Sequence, residues 1–175
     1  MRRVLFLIIT IITFGAANAQ MEKGDVFFEA NTGLGSASPS STGFYFSSTS
    51  LDGGGTVTKY NIGVEAGYFI IDQLAIKVGV GYGDNGAETS NTNLGFKIGA
   101  KYYLKDKFPI QLDLNGGYNK DVLKNPMFVG LQFGYAFFIG DHVSVEPALR
   151  YDYSVNNQYA IKGDIQVAVG FVIHL

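Results

Sequence analysis

Few residues in this chain could carry chemistry, and their positions limit the reactions available to it. The sequence contains two histidines, His142 and His174, and no cysteine. A hydrolase or an acyltransferase needs a nucleophile within hydrogen-bond reach of a base, so such a site would depend on one of these imidazoles. His142 lies in a turn-forming sequence, and His174 is one residue from the end. We therefore expect structural roles for both, and we predict no catalytic residues and no enzymatic activity.

The sequence offers equally little support for a metal, cofactor or nucleic-acid site. Asp141 and His142 form an isolated pair, and the spacing of a calcium loop is absent. Gly79, Gly81 and Gly83 match a nucleotide loop only superficially, because DNGAETSN follows them instead of a helix. The lack of cysteine excludes disulfides and thiolate ligands. A formal net charge of −2 gives no electrostatic case for nucleic acid. We predict no metal and no cofactor.

The first residues have the features of an export signal. Arg2 and Arg3 precede the apolar run VLFLIITIITF, and a stretch of small residues ends at Ala19. The apolar run is too short to span a bilayer as a helix, which needs about 20 residues. We therefore predict a signal peptide over 1–19 and a single exported domain over 20–175.

Alternation of apolar and polar side chains with a period of two dominates the rest of the chain. The pattern predicts an all-β protein whose eight antiparallel strands cover 25–35, 57–70, 74–83, 93–104, 109–118, 127–139, 143–153 and 163–175. Long connections rich in Ser, Thr and Gly alternate with the tight turns IDQ, KDKF and GDH. This is the layout of an up-and-down transmembrane barrel. Pro147 removes a donor within a strand, so we expect a bulge or a strand start near it.

Each predicted strand has an apolar face and a face of glycines and charged residues. The interior of an eight-stranded barrel is only just wide enough for side chains to fill it. Aromatic and aliphatic residues from every strand would overfill this space, whereas glycines alternating with long charged residues fit it. Tyr and Phe also gather near the strand ends, as in the aromatic belts of membrane proteins. We predict that the apolar face meets lipid; a secreted soluble barrel that binds a small apolar ligand inside is the alternative.

The charged residues of the predicted lumen carry both signs, as burial requires, because an unpaired charge withdrawn from water costs several kcal/mol. We expect ion pairs and hydrogen bonds among Glu29, Glu65, Lys77, Lys97, Lys101, Asp113, Glu146, Arg150 and Asp152. The long side chains in this set should block the lumen, and a narrow pore is the alternative.

Two segments resemble the strand–turn–strand signature of small outer-membrane barrels of the OmpA/OmpX-like class. They are Gly67–Ala75 (GYFIIDQLA) and Phe137–Val143 (FFIGDHV), the second followed by EPALRY. The last strand resembles the C-terminal assembly signal of such barrels through Val167, Val169, Phe171, Ile173 and Leu175, although the family usually ends in an aromatic residue. The resemblance implies a porin-family barrel in the outer membrane, and we predict that it is a monomer with periplasmic termini. Membrane lipid and the barrel-assembly machinery would be its partners.

The remaining function is that of a scaffold that presents loops outside the cell. The first long connection carries Phe44, Tyr45 and Phe46, which are candidate contacts for an unknown extracellular partner. The alternative is that these residues extend the first two strands past the membrane. A lipid-modifying enzyme is a second rival, but that family has catalytic residues near the outer leaflet, where no histidine is expected. We predict a non-enzymatic role in envelope integrity or surface contact.

Overall fold

The computed structural model describes residues 21–34, 42–52, 55–84, 86, 92–118, 125–156 and 162–175. They form ten strands: β1 (Val26–Leu34), β2 (Tyr45–Ser50), β3 (Thr56–Ile71), β4 (Leu74–Asp84), β5 (Thr92–Leu104), β6 (Phe108–Tyr118), β7 (Met127–Gly134), β8 (Phe137–Phe138), β9 (Val143–Ser154) and β10 (Gly163–His174). Among these residues, no helix is long and apolar enough to cross a membrane. The predicted signal peptide lies outside the described ranges.

The strands form one antiparallel sheet that closes on itself. Neighbours follow the order β1–β10–β9–β7–β6–β5–β4–β3, and β1 also pairs with β3. The short strand β8 continues the line of β7 along β9, so β7 and β8 together form one of the eight strands of the barrel wall. Closure removes the free sheet edges that would otherwise leave backbone donors and acceptors unpaired. The predicted all-β, eight-stranded up-and-down barrel is confirmed.

Tight turns collect at one end of the barrel, which we call the turn end; the opposite end is the loop end. Three residues in these turns, Gln73, Lys105 and Asp106, have left-handed backbone conformations with φ of 67°, 52° and 60°. Val26, at the start of β1, and Leu175 also meet there, since the amide of each donates to the carbonyl of the other. The turn end is therefore a compact rim at which the ends of the barrel strands are connected by tight turns or backbone hydrogen bonds.

The apolar face of each strand points outward. Ile62, Val80 and Leu149 are 61%, 64% and 61% exposed, whereas Lys77 and Lys101 are 1% and 0% exposed. Glycines share the inner face with the charged residues, and Gly99 shows why: a Cβ there would lie 2.4 Å from the Leu112 carbonyl oxygen on the next strand. The alternative of a soluble barrel with an apolar interior is therefore wrong.

Pro147 interrupts the neighbouring strand and not its own. The expected bulge or strand start is wrong, because β9 runs unbroken through Pro147. The break lies opposite, at Tyr135 and Ala136, and divides the predicted strand 127–139 into β7 and β8. The Tyr135 amide donates to the Pro147 carbonyl over 3.0 Å, but proline has no N–H to return the bond. Pairing resumes in the same register at β8.

The closure between β1 and β3 is short. It contains four residue pairs, from Val26 opposite Tyr68 to Glu29 opposite Glu65, whereas the β4–β5 ladder contains eleven. Toward the loop end, β1 and β3 separate and Thr42–Phe44 lies between them. The Phe44 amide donates to the Asn31 carbonyl over 2.6 Å. We call this part of the wall the seam and Thr42–Phe44 the seam segment.

The strand β2, which the sequence pattern did not predict, continues from the seam segment. It pairs with the first part of β3, from Tyr45 opposite Asn61 to Ser50 opposite Thr56. After Tyr45 and Phe46 it consists only of Ser and Thr, a composition typical of a loop. It has no apolar alternation, and it is a strand because it pairs with β3. The two strands form a ribbon at the loop end.

Candidate functional site

The lumen gathers the buried charged residues of the barrel. Every residue of the predicted lumen set takes part in at least one ion pair in the structure. The residues divide into two groups. The lysine cluster comprises Glu29, Glu65, Lys77, Lys97, Lys101 and Glu146, and the arginine cluster comprises Asp113, Arg150 and Asp152.

Two lysines hold the centre of the lysine cluster. The ammonium of Lys77 lies 2.5 Å from Glu29 Oε2 and 2.6 Å from Glu65 Oε2. The ammonium of Lys101 lies 2.8 Å from the same Glu29 oxygen and 2.5 Å from Glu146 Oε2. Since these side chains come from β1, β3, β4, β5 and β9, the ion pairs connect both sides of the lumen. Opposite charges at this spacing, withdrawn from water, offset the cost of their burial.

Hydroxyl groups donate further hydrogen bonds to the carboxylates of the lysine cluster. Glu146 Oε1 accepts hydrogen bonds from the Tyr103 and Ser144 hydroxyls, each at 2.9 Å. Glu65 Oε1 accepts from Lys97 at 2.6 Å and from the hydroxyl of Thr42 in the seam segment. The seam is therefore tied to the ion pairs of the lumen.

The arginine cluster is built around one guanidinium between two carboxylates. Arg150 donates from Nη1 and Nη2 to the two oxygens of Asp113, each at 2.7 Å. It donates from Nε and Nη2 to Asp152 at 2.8 and 2.7 Å. Asn115 and Gln166 donate to the same carboxylates. Gly130 leaves the space for this arrangement, because a Cβ there would lie 2.0 Å from Arg150 Nη2.

Gln111, which was not predicted from the sequence, links the two clusters. Its Oε1 accepts from Lys77 at 2.7 Å, and its Nε2 donates to Asp113 Oδ2 at 2.6 Å. The amide thus presents an acceptor to the cation and a donor to the carboxylate. Gln111 has the same parity as Asp113 on its strand, and this signal could have identified it.

An apolar floor lies below the lysine cluster, at the turn end. Its buried side chains are Met21, Phe27, Phe69, Ala75, Tyr103, Ala136, Phe138 and Val172. The Phe27 ring lies 5.5 Å from that of Phe69, and the Phe69 ring lies 6.0 Å from that of Tyr103. This floor was not predicted from the sequence, although Phe27, Phe69 and Tyr103 have the parity of lumen residues on their strands. A pattern that assigns every aromatic residue to lipid overlooks them.

Ser144 and His174 form the one serine–histidine contact seen among the described residues. The Ser144 hydroxyl lies 3.2 Å from His174 Nε2, and both side chains are fully buried. The single hydroxyl proton of Ser144 is directed to Glu146 Oε1. A nucleophilic serine instead needs its proton on the side of the base, with room for substrate. This geometry is that of a structural hydrogen bond. Within the described ranges, no cluster of His, Asp or Glu could hold a metal ion.

The candidate loop contacts lie at the start of the β2–β3 ribbon. Phe44 and Phe46 are 51% and 65% exposed, and Tyr45 is half-buried. Phe46 pairs with Tyr60, which continues the outward apolar face of β3. The three aromatic residues therefore belong to two faces, and Phe44 and Phe46 are the accessible ones.

The last-strand residues that resemble an assembly signal lie on the outer face of the barrel. Val167, Phe171 and Ile173 are 44%, 50% and 50% exposed. Val169 is partly exposed and pairs with Thr32 and Pro147. Leu175 is 60% exposed and is tied to Val26 through the backbone.

Comparison with known proteins gives a structural likeness and no sequence relative. Neither a protein-family model nor a curated protein matches the chain. The structure is similar to the N-terminal β-barrel domain of Pseudomonas aeruginosa OprF, with a TM-score of 0.55, 12% identity, and coverage of 87% of this chain and 98% of that one. At this identity the likeness shows the fold, which is that of small outer-membrane barrels.

Two further solved structures resemble the chain more distantly. A de novo designed transmembrane β-barrel has a TM-score of 0.48 and 14% identity, with coverage of 88% of this chain and 98% of that one. Neisserial surface protein A (NspA) has a TM-score of 0.47 and 15% identity, with coverage of 85% and 95%.

Proposed function

We propose that this chain is an exported, monomeric outer-membrane protein that acts without enzymatic activity, with periplasmic termini and a lumen closed by its own side chains. Its role is envelope integrity or surface contact through the loop end. The observation that carries this proposal is the ion-pair network across the lumen, enclosed by an outward apolar face. A polar interior inside an apolar exterior is the reverse of a soluble protein and suits a barrel in lipid.

The network also supports closure of the lumen. Lys101 on β5 spans the lumen to Glu29 on β1 and to Glu146 on β9, each three strands away around the wall, and the apolar floor lies below these pairs. Passage of a solute would require these pairs to separate in a confined space, at a cost of several kcal/mol for each unpaired charge. The closed scaffold is therefore favoured over the narrow pore.

Contact with an extracellular partner is the role that the β2–β3 ribbon supports. Phe44 and Phe46 present aromatic surface beside the polar residues of β2, and exposed aromatic residues are common anchors at protein interfaces. Replacement of Phe44, Tyr45 and Phe46 together by Ser should abolish adhesion of cells that display the protein, while the barrel still assembles. Unchanged adhesion would exclude this ribbon as the contact surface.

Gel mobility of the membrane fraction tests the insertion. A closed membrane barrel keeps its sheet in SDS until it is heated, so the unboiled and boiled samples should migrate differently. Recovery in the soluble fraction without a mobility shift would contradict the proposal. Conductance across a planar bilayer tests the closed lumen, and steady channels from the purified protein would favour the narrow pore instead.

A further inference from the structure

An apolar groove crosses the outer wall near the turn end. It has a volume of about 350 Å³ and lies over β6, β7, β9 and β10. Phe133, Leu149 and Val167 form its sides with their outward side chains, which are 53%, 61% and 44% exposed. The groove is therefore continuous with the apolar surface that the proposed function assigns to lipid.

The interrupted ladder explains why the wall is indented here. Pro147 lies in the groove and has no N–H to donate to the Tyr135 carbonyl, so only one of the two ladder hydrogen bonds between these residues forms. Gly134 and Ala148, paired across β7 and β9, give only backbone to the floor, because Gly134 has no side chain and the buried Ala148 has the lumen parity of Glu146 and Arg150. A smooth sheet surface would offer no such depression, so the groove is a local feature of this part of the barrel.

Aromatic packing gives the groove a defined wall. The Phe108 ring stacks near that of Phe133, with centroids 6.3 Å apart and planes 14° apart. The Tyr135 ring meets Phe108 edge-on at 5.3 Å. Rings held against each other retain their positions with little loss of side-chain entropy on binding. The groove is thus formed before any occupant enters.

A basic turn borders the end of the groove. Lys107 directly precedes Phe108, and Lys105 lies two residues before Lys107. The Lys107 carbonyl accepts from the Ala136 amide at 2.7 Å. Asp106 between them accepts a hydrogen bond from Gln73, on the side of the β3–β4 turn. Lysines at the edge of an apolar surface extend their ammonium groups to the headgroup level, where they attract anionic lipids.

We propose that this groove holds an acyl chain of one anionic phospholipid, whose phosphate binds Lys105 and Lys107. The inference rests on the proposed membrane insertion and adds a lipid-specific site to it. An apolar groove alone would accept any chain; the two lysines supply the preference for an anionic headgroup. The site lies in the leaflet at the turn end of the barrel.

Native mass spectrometry of the full mature chain tests the site. The protein is reconstituted into nanodiscs of phosphatidylcholine with a minor fraction of phosphatidylglycerol, and the lipids retained after release are counted. We expect one retained phosphatidylglycerol. V167W, which fills the groove, should lower the retained fraction about tenfold, equivalent to about 1.4 kcal/mol. The matched control V80W changes an outward valine on β4, away from the groove, and should retain the lipid.

The double variant K105Q/K107Q tests the headgroup contact. It should abolish the preference for phosphatidylglycerol over phosphatidylcholine while the groove remains intact. The heat-dependent gel shift is recorded for every variant, and L149W replaces V167W if the latter does not assemble. Three results, each obtained with a wild type that shows the heat shift, would overturn the inference and leave the proposed membrane barrel intact. They are no lipid retained by the wild type, a loss of lipid in V80W equal to that in V167W, and a protein dimer in place of the lipid complex. Absence of the heat shift in the wild type would overturn both.

Discussion

The arginine cluster and the lysine cluster both bury carboxylates, but they satisfy them to different degrees. Every oxygen of Asp113 and Asp152 accepts two hydrogen bonds. In the lysine cluster, Glu29 Oε2 is paired with two ammonium groups, whereas the buried Glu29 Oε1 has no hydrogen-bond partner among the described residues. A planar guanidinium fixes both oxygens of a carboxylate, whereas an ammonium acts as a point charge. Loss of one residue should therefore have unequal effects in the two clusters.

The largest effect should come from removal of the single cation of the arginine cluster. R150M keeps much of the side-chain volume but leaves Asp113 and Asp152 without the cation to which both are paired. We expect a loss of about 3–5 kcal/mol in the free energy of unfolding, the range for breaking a buried ion pair. Because the chain has no tryptophan, urea unfolding in lipid vesicles is followed by circular dichroism and by the unboiled gel band.

R150K separates charge from geometry in this experiment. It retains a cation but not the fork, so its stability should lie between those of R150M and the wild type. Equal stabilities of R150K and the wild type would show that charge alone holds the arginine cluster.

Removal of one cation from the lysine cluster should cost less. K101M breaks the ion pairs with Glu29 and Glu146, but Glu29 keeps its ion pair with Lys77. Glu146 keeps its hydrogen bonds from the Tyr103 and Ser144 hydroxyls. We expect a loss of about 2 kcal/mol, because only Glu146 loses its cation, whereas R150M removes the cation from two carboxylates. The control K59M changes an exposed lysine on β3; a loss for K101M as large as that for R150M would contradict the shared support of this cluster.

Asn115 and Asn31 are both buried, but they differ in the hydrogen bonds of their side-chain amides. Asn115 donates to Asp113 at 3.0 Å and to Asp152 at 2.9 Å. The buried Asn31 side chain has no hydrogen-bond partner among the described residues. N115L should destabilise the barrel by about 1.5–3 kcal/mol, whereas N31L should leave stability within about 0.5 kcal/mol or raise it. Equal losses in urea unfolding would show that Asn31 is as well satisfied as Asn115.

The sequence predicted the wall of the barrel because strand pairing follows a local pattern. The predicted strand 74–83 became Leu74–Asp84, and 109–118 became Phe108–Tyr118. Alternation also assigned Lys77 and Arg150 to the same face of the sheet as the glycines. These inferences need only the period of the strand and the size of the lumen.

Features that depend on distant contacts could not be predicted in this way. The strand β2 consists mostly of Ser and Thr and is a strand because β3 pairs with it. The effect of Pro147 falls on Tyr135, because the missing N–H belongs to a ladder that only the fold defines. The choice of partners across the lumen, such as Lys101 with Glu146, depends on the stagger of the strands around the barrel. Sequence parity lists the side chains in the lumen but does not pair them.

The smallest effect should come from the hydroxyl that ties the seam to the lysine cluster. T42V removes the hydrogen bond from Thr42 to Glu65 and keeps the size and branching of the side chain. Glu65 retains Lys77 and Lys97, so its charge stays paired. We therefore expect a loss of about 1 kcal/mol in the urea experiment, the net value of one hydrogen bond. T58V, at an exposed position of β3, is the matched control. If T42V and T58V unfold at the same urea concentration, the lysines alone satisfy Glu65, and the seam segment is held by its backbone contacts with β1.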